Sequence, residues 1–307
     1  MSIRPKVILC ATDFSTYAAG ALAHGEALAR TFGAGLLIFH AVCFPAVPAG
    51  GDAGPRRGPL SDRVRRTAEA RIGELMDGCS VPWEPVVVAG DPVDEVIRVA
   101  GEPGRGVDLV ITASHGLSGL RRWLLGSVVE SLARTLGRPL LVTRAARRLK
   151  APVSPFRCIV AGCGPGPDPG PAVAAAGGLA DVFGARLHIL HAVESPAEGL
   201  PDGEDADIPY GEREAALMAK RRQRIAEALS ETVGENARPD AAIDLVPGVP
   251  GEIIPQRARE LGADLIVVGV RPHPGLRGAI TPSTTEAVLR HARCAVLTVP
   301  DVPESMP

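Results

Sequence analysis

The stretch between Val107 and Glu130 carries residue types that could hold a phosphate. A short apolar run, Leu109–Thr112, predicts a buried strand, and apolar residues recur at helical spacing after Gly126. The loop between strand and helix has Gly116 near its start and Gly126 at its end. Glycines at both ends let the backbone fold back so that its N–H groups converge. Unpaired first-turn amides and the helix dipole favour an anion beside the helix, so this stretch predicts a phosphate site.

The glycine spacing resembles the nucleotide loop of the universal stress protein family, Gly-x2-Gly-x9-Gly-[Ser/Thr]. Gly116 and Gly126-Ser127 match that pattern, and Ala113 stands where the first glycine is expected. An alanine there adds a methyl group at a point of close backbone approach. The resemblance implies ATP binding and leaves open whether Mg²⁺ accompanies it. Its phosphate cradle would be formed by Ala113, Gly116, Gly126, Ser127 and Val128.

Two further residues complete the nucleotide site that the resemblance implies. Asp13, just after the first strand, would accept hydrogen bonds from the adenine or ribose, and the alternative is an Asx turn or a cap onto the next helix. Val42, at the end of the second strand, would line the adenine pocket, and the alternative is a simple core position. Ser127 has its own alternative, which is to cap the helix that follows it.

Histidines recur in the same H-A-V context at His40 and His191. His191 lies in the second half of the chain, which lacks the nucleotide pattern. The recurrence of this context in both halves therefore favours a packing or hydrogen-bonding role over catalysis. His115 lies inside the proposed loop, but no carboxylate is placed beside it by the sequence. Arg121 and Arg122 could reach phosphates or face solvent.

Segments of the chain repeat in order, which indicates two copies of one unit. LARTFGAGLLIFHAV at 28–42 reappears as LADVFGARLHILHAV at 179–193. GVDLVITASHGL at 106–117 likewise corresponds to GADLIVVGVRPH at 262–273. We therefore expect two domains, 1–146 and 156–301, joined by a linker rich in Arg, Lys and Pro.

Strands and helices alternate in each copy, which predicts an α/β fold. The first copy has five apolar runs, at Val7–Ala11, Leu36–Val42, Pro85–Ala89, Leu109–Thr112 and Leu140–Arg144. Continuous apolar strands predict two tandem, doubly wound, parallel five-stranded sheets. The resemblance to universal stress proteins implies that these sheets are of the Rossmann-like, adenine nucleotide alpha-hydrolase-like type. We expect Ser15 to cap the first helix and the two copies to form an intramolecular pseudo-dimer with pseudo-two-fold symmetry. Homodimerisation of the whole chain stays open.

The second copy departs from the nucleotide pattern at three positions. Gly164 replaces Asp13, Pro272 replaces Gly116 and Pro282 replaces Gly126. Proline lacks an N–H and fixes φ, so it removes a donor and blocks the glycine conformation. We expect no ATP in this half, and a structural role for it.

Bulk properties restrict the interaction partners. The 33 basic and 35 acidic side chains give a net charge of −2, so no general attraction to nucleic acid or to an anionic membrane follows. The six cysteines form no C-x-x-C pair, which favours reduced thiols. The N-terminal apolar run is too short for a signal peptide, and no run approaches the roughly 20 residues of a membrane span. We expect a cytoplasmic protein.

The favoured function is a tandem universal stress protein that binds ATP in its N-terminal domain. It would act in the stress response through nucleotide-dependent conformation or through a protein partner. The sequence shows no P-loop lysine, no dedicated acidic pair for Mg²⁺ and no positioned general base, so it predicts a binding protein with at most weak ATPase activity. One alternative is a nucleotide-free interaction module. Another is an adenylating or ATP-cleaving enzyme, whose S-G-G-x-D-S or H-x-G-H motif is not present.

Overall fold

The computed structural model describes most of the chain, and it divides into two compact units. The described residues are 3–43, 60–114, 126–144, 156–164, 170–193, 211–212, 215–217, 219–220, 223–224, 227, 241–270 and 284–301. One unit is Arg4–Pro155, and the other is Phe156–Pro307 together with Met1–Ile3. Each unit is described below by itself.

The first unit is a parallel sheet with helices between its strands. Its elements are β1 Val7–Ala11, α1 Ala18–Phe32, β2 Gly35–Val42, α2 Asp62–Leu75, β3 Trp83–Ala89, α3 Pro92–Gly101, β4 Leu109–Ala113, α4 Ser127–Thr135 and β5 Leu140–Thr143. The strand order is β3-β2-β1-β4-β5, and every neighbouring pair is parallel. The predicted doubly wound sheet is thereby confirmed.

The second unit repeats this order. Its elements are β6 Cys158–Gly162, α5 Gly170–Phe183, β7 Arg186–Val193, β8 Ala242–Pro247, α6 Pro250–Glu260, β9 Leu265–Val270, α7 Thr284–His291 and β10 Ala295–Pro300. The residues described between 211 and 227 are helical as well. The strands follow the order β10-β9-β6-β7-β8, again all parallel.

The repeated residues of the two copies have visible structural roles. Gly33 and Gly184, which follow α1 and α5, have φ of 68° and 61°, a left-handed conformation that glycine adopts at little cost. Asp108 accepts hydrogen bonds from the backbone N–H groups of Lys6 and Val7, at 2.7 and 3.2 Å. Asp264 does the same for the backbone ahead of β6. The Gly and Asp of each repeat therefore fix where its strands begin.

The switch point of the first sheet lies between β1 and β4. The chain leaves β1 towards β2 and β3 on one side, then returns to place β4 and β5 on the other. Ligands of open α/β sheets bind at the carboxyl ends of the strands beside such a reversal. The register pairs Cys10 with Ile111, so Asp13 and Ser114 follow their strands at the same level of the sheet. Every residue of β4 is buried, which anchors this edge in the core.

Two general features of the described residues bear on function. None of the described helices combines the length and the apolar character needed to cross a bilayer. All six cysteines are free thiols, and Cys10 and Cys158 are buried in β1 and β6 as small apolar residues.

Candidate functional site

The turn between β1 and α1 carries Asp13 at the switch point. Its Oδ1 accepts a hydrogen bond from the backbone N–H of Ser15 at 2.9 Å, which is an Asx turn. The hydroxyl of Thr12 accepts from the N–H of Phe14 at 3.1 Å. A carboxylate has about four acceptor positions, so the Asx turn and a ligand contact are compatible. The side chain of Asp13 is half-buried at the edge of the sheet.

Helix α1 begins later than the sequence predicts. Tyr17 is its N-cap residue, with no side-chain capping bond, and Ser15 lies two residues before it. The Ser15 hydroxyl still accepts from the N–H of Ala18, at 3.3 Å. Ser15 therefore contributes to the turn that leads into the helix and is not the helix cap itself. The cause is the left-handed backbone of Phe14, φ 63°, which inserts a turn before the helix.

His40 and His191 make the same hydrogen bond in the two units. Nδ1 of His40 donates to the carbonyl of Thr12 at 2.9 Å, and Nδ1 of His191 donates to the carbonyl of Cys163 at 3.1 Å. Each bond joins the second strand of a unit to the residue just after its first strand. The predicted hydrogen-bonding role is confirmed, and it belongs to the fold of both units.

An aromatic stack covers the same turn in the first unit. The rings of Phe14 and His40 have centroids 4.3 Å apart and are tilted by 44°. The guanidinium carbon of Arg71, from α2, lies 4.4 Å from the centre of the Phe14 ring, a cation–π contact. Three elements, β2, α2 and the β1–α1 turn, therefore meet beside Asp13.

The resemblance implies that Val42 lines the adenine pocket, but its backbone carbonyl is bonded on the β3 side, away from β1. Alternate residues of β2 bond to opposite neighbours: Phe39 accepts from Thr12 on the β1 side, and Val42 accepts from Gly90 on the β3 side at 3.1 Å. The pairing of β1 with β2 ends at Phe39. By this alternation the N–H and C=O of Ala41 face the switch point, beyond the end of β1. The Val42 side chain is half-buried.

The sequence interpretation missed Ala41, because the direction of a strand residue's backbone depends on register. The alternation of hydrogen bonds is visible only once both neighbours of β2 are known. An adenine edge presents donors and acceptors of the kind that one strand residue can satisfy with its N–H and C=O. Ala41 therefore joins Asp13 as a candidate contact at the adenine end of the site.

Helix α4 begins beside the end of β4 with a glycine as its N-cap residue. Gly126 is its N-cap, with φ −65° and ψ 139°, and no side chain caps it. The alternative interpretation, that Ser127 caps this helix, is wrong, because Ser127 is the first helical residue and is exposed. By contrast, Ser61 caps α2 and Asp91 caps α3 with side-chain oxygens. Because Gly126 has no side chain to cap α4, the first-turn amides of this helix are candidate donors to an anion.

The ends of the proposed loop meet at its base. The N–H of Gly126 donates to the carbonyl of Ser114 at 3.3 Å, and Ser114 is itself tied to β5 by a bond from its N–H to the carbonyl of Thr143. Ala113 is 8% exposed and closes β4. Val128 is half-buried in the first turn of α4. Gly116 lies outside the described residues, as do His115, Arg121 and Arg122.

The second unit has a different arrangement at its switch point. Gly164 stands at the position of Asp13, as the sequence predicts, and Pro272 and Pro282 lie outside the described residues. A Cβ on Gly162 would lie 3.0 Å from the Ile254 side chain and 3.2 Å from that of Val268. In the first unit the matching residues are Ala11 and the smaller Val96. In the second unit the side chains of Ile254 and Val268 thus occupy the space that a Cβ at position 162 would need.

Helices α6 and α7 also approach each other closely. A Cβ on Gly251 would lie 2.5 Å from the Cβ of Ala287, so only glycine fits this helix contact. The hydroxyl of Thr285, in the first turn of α7, donates to the carbonyl of Gly269 at 3.0 Å. In the first unit Val129 stands at the position of Thr285. The start of α7 is therefore bound to β9 by a side chain, whereas a backbone bond from Gly126 to Ser114 closes the base of the α4 loop.

Titratable groups around the first site offer little reactive chemistry. Burial, and the carboxylate of Asp91, raise the pKa of the Cys43 thiol, which follows Val42, so this thiol stays protonated near neutral pH. Within the described residues, no three His, Cys, Asp or Glu side chains cluster as metal ligands do. The described geometry presents hydrogen-bonding groups and a helix N-terminus.

Fold and site together define a tandem, doubly wound α/β protein with a glycine-bounded loop at the switch point of its first sheet. The chain matches the Universal stress protein family over residues 5–144 and again over 155–300. It therefore belongs to that family, and the predicted resemblance is confirmed.

Individual relatives match in the same way. Universal stress protein MJ0577 of Methanocaldococcus jannaschii is 26% identical over 160 residues, which are 47% of this chain and 98% of that protein. A universal stress protein of Thermus aquaticus is 30% identical over 144 residues, 45% of this chain and 98% of its own. The crystal structure of a universal stress protein from Archaeoglobus fulgidus covers 98% of this chain and 100% of its own, with TM-score 0.65 and 19% identity. At that identity the structural likeness shows the fold alone.

Proposed function

We propose that this tandem universal stress protein binds ATP in its first unit and uses the bound nucleotide to set the conformation that it presents to a protein partner. The observation that carries the proposal is the start of α4 at a glycine N-cap, whose loop base is closed by the bond from Gly126 to Ser114. The family resemblance of the Gly116–Ser127 spacing identifies the expected anion as a triphosphate.

The proposed site has two chemically distinct ends. Asp13 and the backbone of Ala41 supply acceptors and a donor at the ends of β1 and β2, which suit the amino, ring and hydroxyl groups of adenosine. Ala113, Gly116, Gly126, Ser127 and Val128 supply the phosphate end beside α4. A carboxylate at the adenosine end is separated from the phosphates, whose negative charge the helix N-terminus favours.

The proposed role is binding coupled to conformation. ATP in this cradle would shift the population of surfaces shown to a partner. Within the described residues no three His, Cys, Asp or Glu side chains cluster as metal ligands do, and turnover is not part of the proposal. The second unit, with Gly164 in place of Asp13, takes a structural role. On this proposal the protein is cytoplasmic.

Release of bound nucleotide by heat tests the proposal. Purified protein is denatured, and the supernatant is separated by anion-exchange chromatography against ATP, ADP, AMP and cAMP standards. ATP in the supernatant of the parent and its loss in Asp13→Ala support the site. Asp62→Ala, an exposed acidic residue at the start of α2, is the matched control and should retain the nucleotide.

A nucleotide-free interaction module is the second candidate, and Ala113 favours it. This alanine places a methyl group where the family pattern has glycine, at a buried position beside the proposed phosphates. No nucleotide after denaturation, together with no saturable ATP binding to the apo-protein, would establish that candidate. Ala113→Gly separates the two, because it restores the pattern without touching Asp13 or α4.

A further inference from the structure

Phe14 has a backbone conformation that its residue type disfavours. Its φ is 63°, the one positive value for a non-glycine residue among those described. A bulky aromatic residue adopts this region only when its surroundings compensate for the strain. The strained residue directly follows Asp13, so its conformation sets the direction of the turn that carries the proposed nucleotide contact.

The compensation comes from the aromatic stack. The Phe14 ring lies 4.3 Å from the His40 ring, and the Arg71 guanidinium lies 4.4 Å from its centre. His40 is itself fixed, because its Nδ1 donates to the carbonyl of Thr12 at 2.9 Å. The ring is therefore held between a strand residue and a helix residue, and this contact offsets the strain of its backbone.

The stack fixes the backbone on both sides of Asp13. Thr12 precedes it, with its carbonyl bound by His40 and its hydroxyl bound by the N–H of Phe14. Ser15 follows it, with its N–H bound by Oδ1 of Asp13 at 2.9 Å. The direction of the Asp13 carboxylate thus depends on a turn that the Phe14 ring keeps in place.

The second unit has the histidine bond but does not have the phenylalanine of the stack. His191 donates to Cys163 as His40 does to Thr12, although Gly164 stands where the first unit has Asp13. Position 165, which corresponds to Phe14, is a proline in the sequence. The histidine bond is thus shared by both units, whereas the aromatic ring and the carboxylate occur together in the first.

We propose that Phe14 is a positioning residue of the nucleotide site: stacked on His40 and covered by Arg71, it holds the turn in which Asp13 faces the adenosine end of ATP. This inference rests on the proposed function. Because Arg71 belongs to α2, the stack also links the site to an exposed helix.

The test measures the dissociation constant for ATP by isothermal titration calorimetry on the full-length parent and on variants of the stack. Phe14→Leu keeps an apolar side chain and the backbone strain but removes the ring, and should weaken binding roughly threefold to tenfold. Phe14→Tyr restores the ring and should bind as the parent does. Arg71→Gln should weaken binding in the same direction, and Arg66→Gln, an exposed arginine of the same helix, should not.

The outcomes distinguish this inference from the proposed function. If the parent binds ATP and both Phe14→Leu and Arg71→Gln bind equally well, Phe14 does not position the site and the inference is overturned. If the parent binds no ATP, the proposed function fails, and the inference fails with it. Should Phe14→Leu not fold, Arg71→Gln decides alone, because this surface substitution leaves the core intact. A merely structural role of the ring would lower the unfolding midpoint while the affinity of the folded protein stayed unchanged.

Discussion

The backbone N–H of Gly126 lies 3.3 Å from the carbonyl oxygen of Ser114 and donates a hydrogen bond to it. This bond brings together the residue after β4 and the N-cap of α4, so the loop between them begins and ends at one place. A helix whose first residue follows such a closure places first-turn amides, which have no partner within the helix, at the switch point of the sheet. The proposed phosphate site depends on this closure.

Two substitutions of Gly126 test the role of its backbone N–H separately from the effect of adding a side chain. A Cβ there would lie 3.5 Å from the Ser114 carbonyl, an ordinary contact, and φ of −65° suits alanine and proline alike. Gly126→Ala should therefore bind ATP nearly as the parent does. Gly126→Pro removes the N–H, as Pro282 does in the second unit, and should lose binding together with about 1 kcal/mol of unfolding free energy.

Calorimetric titration with ATP measures the affinity of both variants, and urea unfolding measures their free energy of unfolding. Gly101→Ala, at the end of α3 with open space around it, is the control for a glycine substitution as such. Undiminished ATP affinity in Gly126→Pro would contradict a role for this amide and for the loop closure.

The charged carboxylate of Asp13 should contribute to nucleotide affinity by accepting hydrogen bonds from ATP. Asp13→Ala removes the carboxylate, and Asp13→Asn keeps its shape without the charge. A hydrogen bond to a charged group contributes about 1.5–3 kcal/mol, so we expect affinity for ATP to fall roughly tenfold to hundredfold in Asp13→Ala and less in Asp13→Asn. Equilibrium dialysis with labelled ATP measures this. Parent-like affinity in both variants would remove Asp13 from the site.

The strand pattern and the repeat could be predicted from the sequence, because both depend on local composition. β1 was predicted at Val7–Ala11 and is observed there, since a strand buried on both faces is a continuous apolar run bounded by polar residues. Asp108 and Asp264 stand in the repeated segments, and each binds the backbone ahead of a first strand. Residues that recur in both units therefore mark fold-level contacts that local patterns reveal.

The remaining details depend on contacts between distant segments, which the sequence does not encode locally. Ala41 faces the switch point only because β2 alternates its bonds between β1 and β3. Tyr17, and not Ser15, is the N-cap of α1 because Phe14 takes a left-handed backbone. That conformation is supported by Arg71 from α2. No periodicity within the β1–α1 segment could have indicated this partner.

Each of the two histidine bonds should stabilise its own unit, and His40→Leu also loses the ring contact with Phe14. His40→Leu and His191→Leu each leave a strand-end carbonyl without its donor, which should cost about 1–3 kcal/mol of unfolding free energy. Guanidinium unfolding followed by circular dichroism measures the loss. His291→Leu, exposed at the end of α7, is the control and should change little. A loss confined to His40→Leu would instead indicate a role specific to the first unit.

His24 should make the stability of the first unit depend on pH. Burial in α1 lowers the pKa of His24 below its ordinary 6.5, and a bond to the carbonyl of Gly20 opposes this only in part. The unfolded chain therefore takes up a proton that the folded unit excludes. Stability from this group is complete above pH 6.5 and falls as the pH drops through 6.5 towards the lowered pKa.

Urea unfolding at about pH 7.5, 6.5 and 5.5 should show this fall in the parent, because that window lies above the range where most carboxylates titrate. His24→Gln cannot take up the proton, so its unfolding free energy should be flatter across the same window. Equal slopes in the parent and in the variant would show that His24 is not the group responsible.

The stoichiometry of ATP binding tests the asymmetry between the two units most directly. Apo-protein is titrated with ATP in a calorimeter, and the number of sites per chain is read from the end point. We predict one site, weakened by Asp13→Ala, because the first unit has a carboxylate at its switch point while the second has Gly164 there and Pro272 and Pro282 in place of the loop glycines. Two sites, or none in a fully folded protein, would contradict this account.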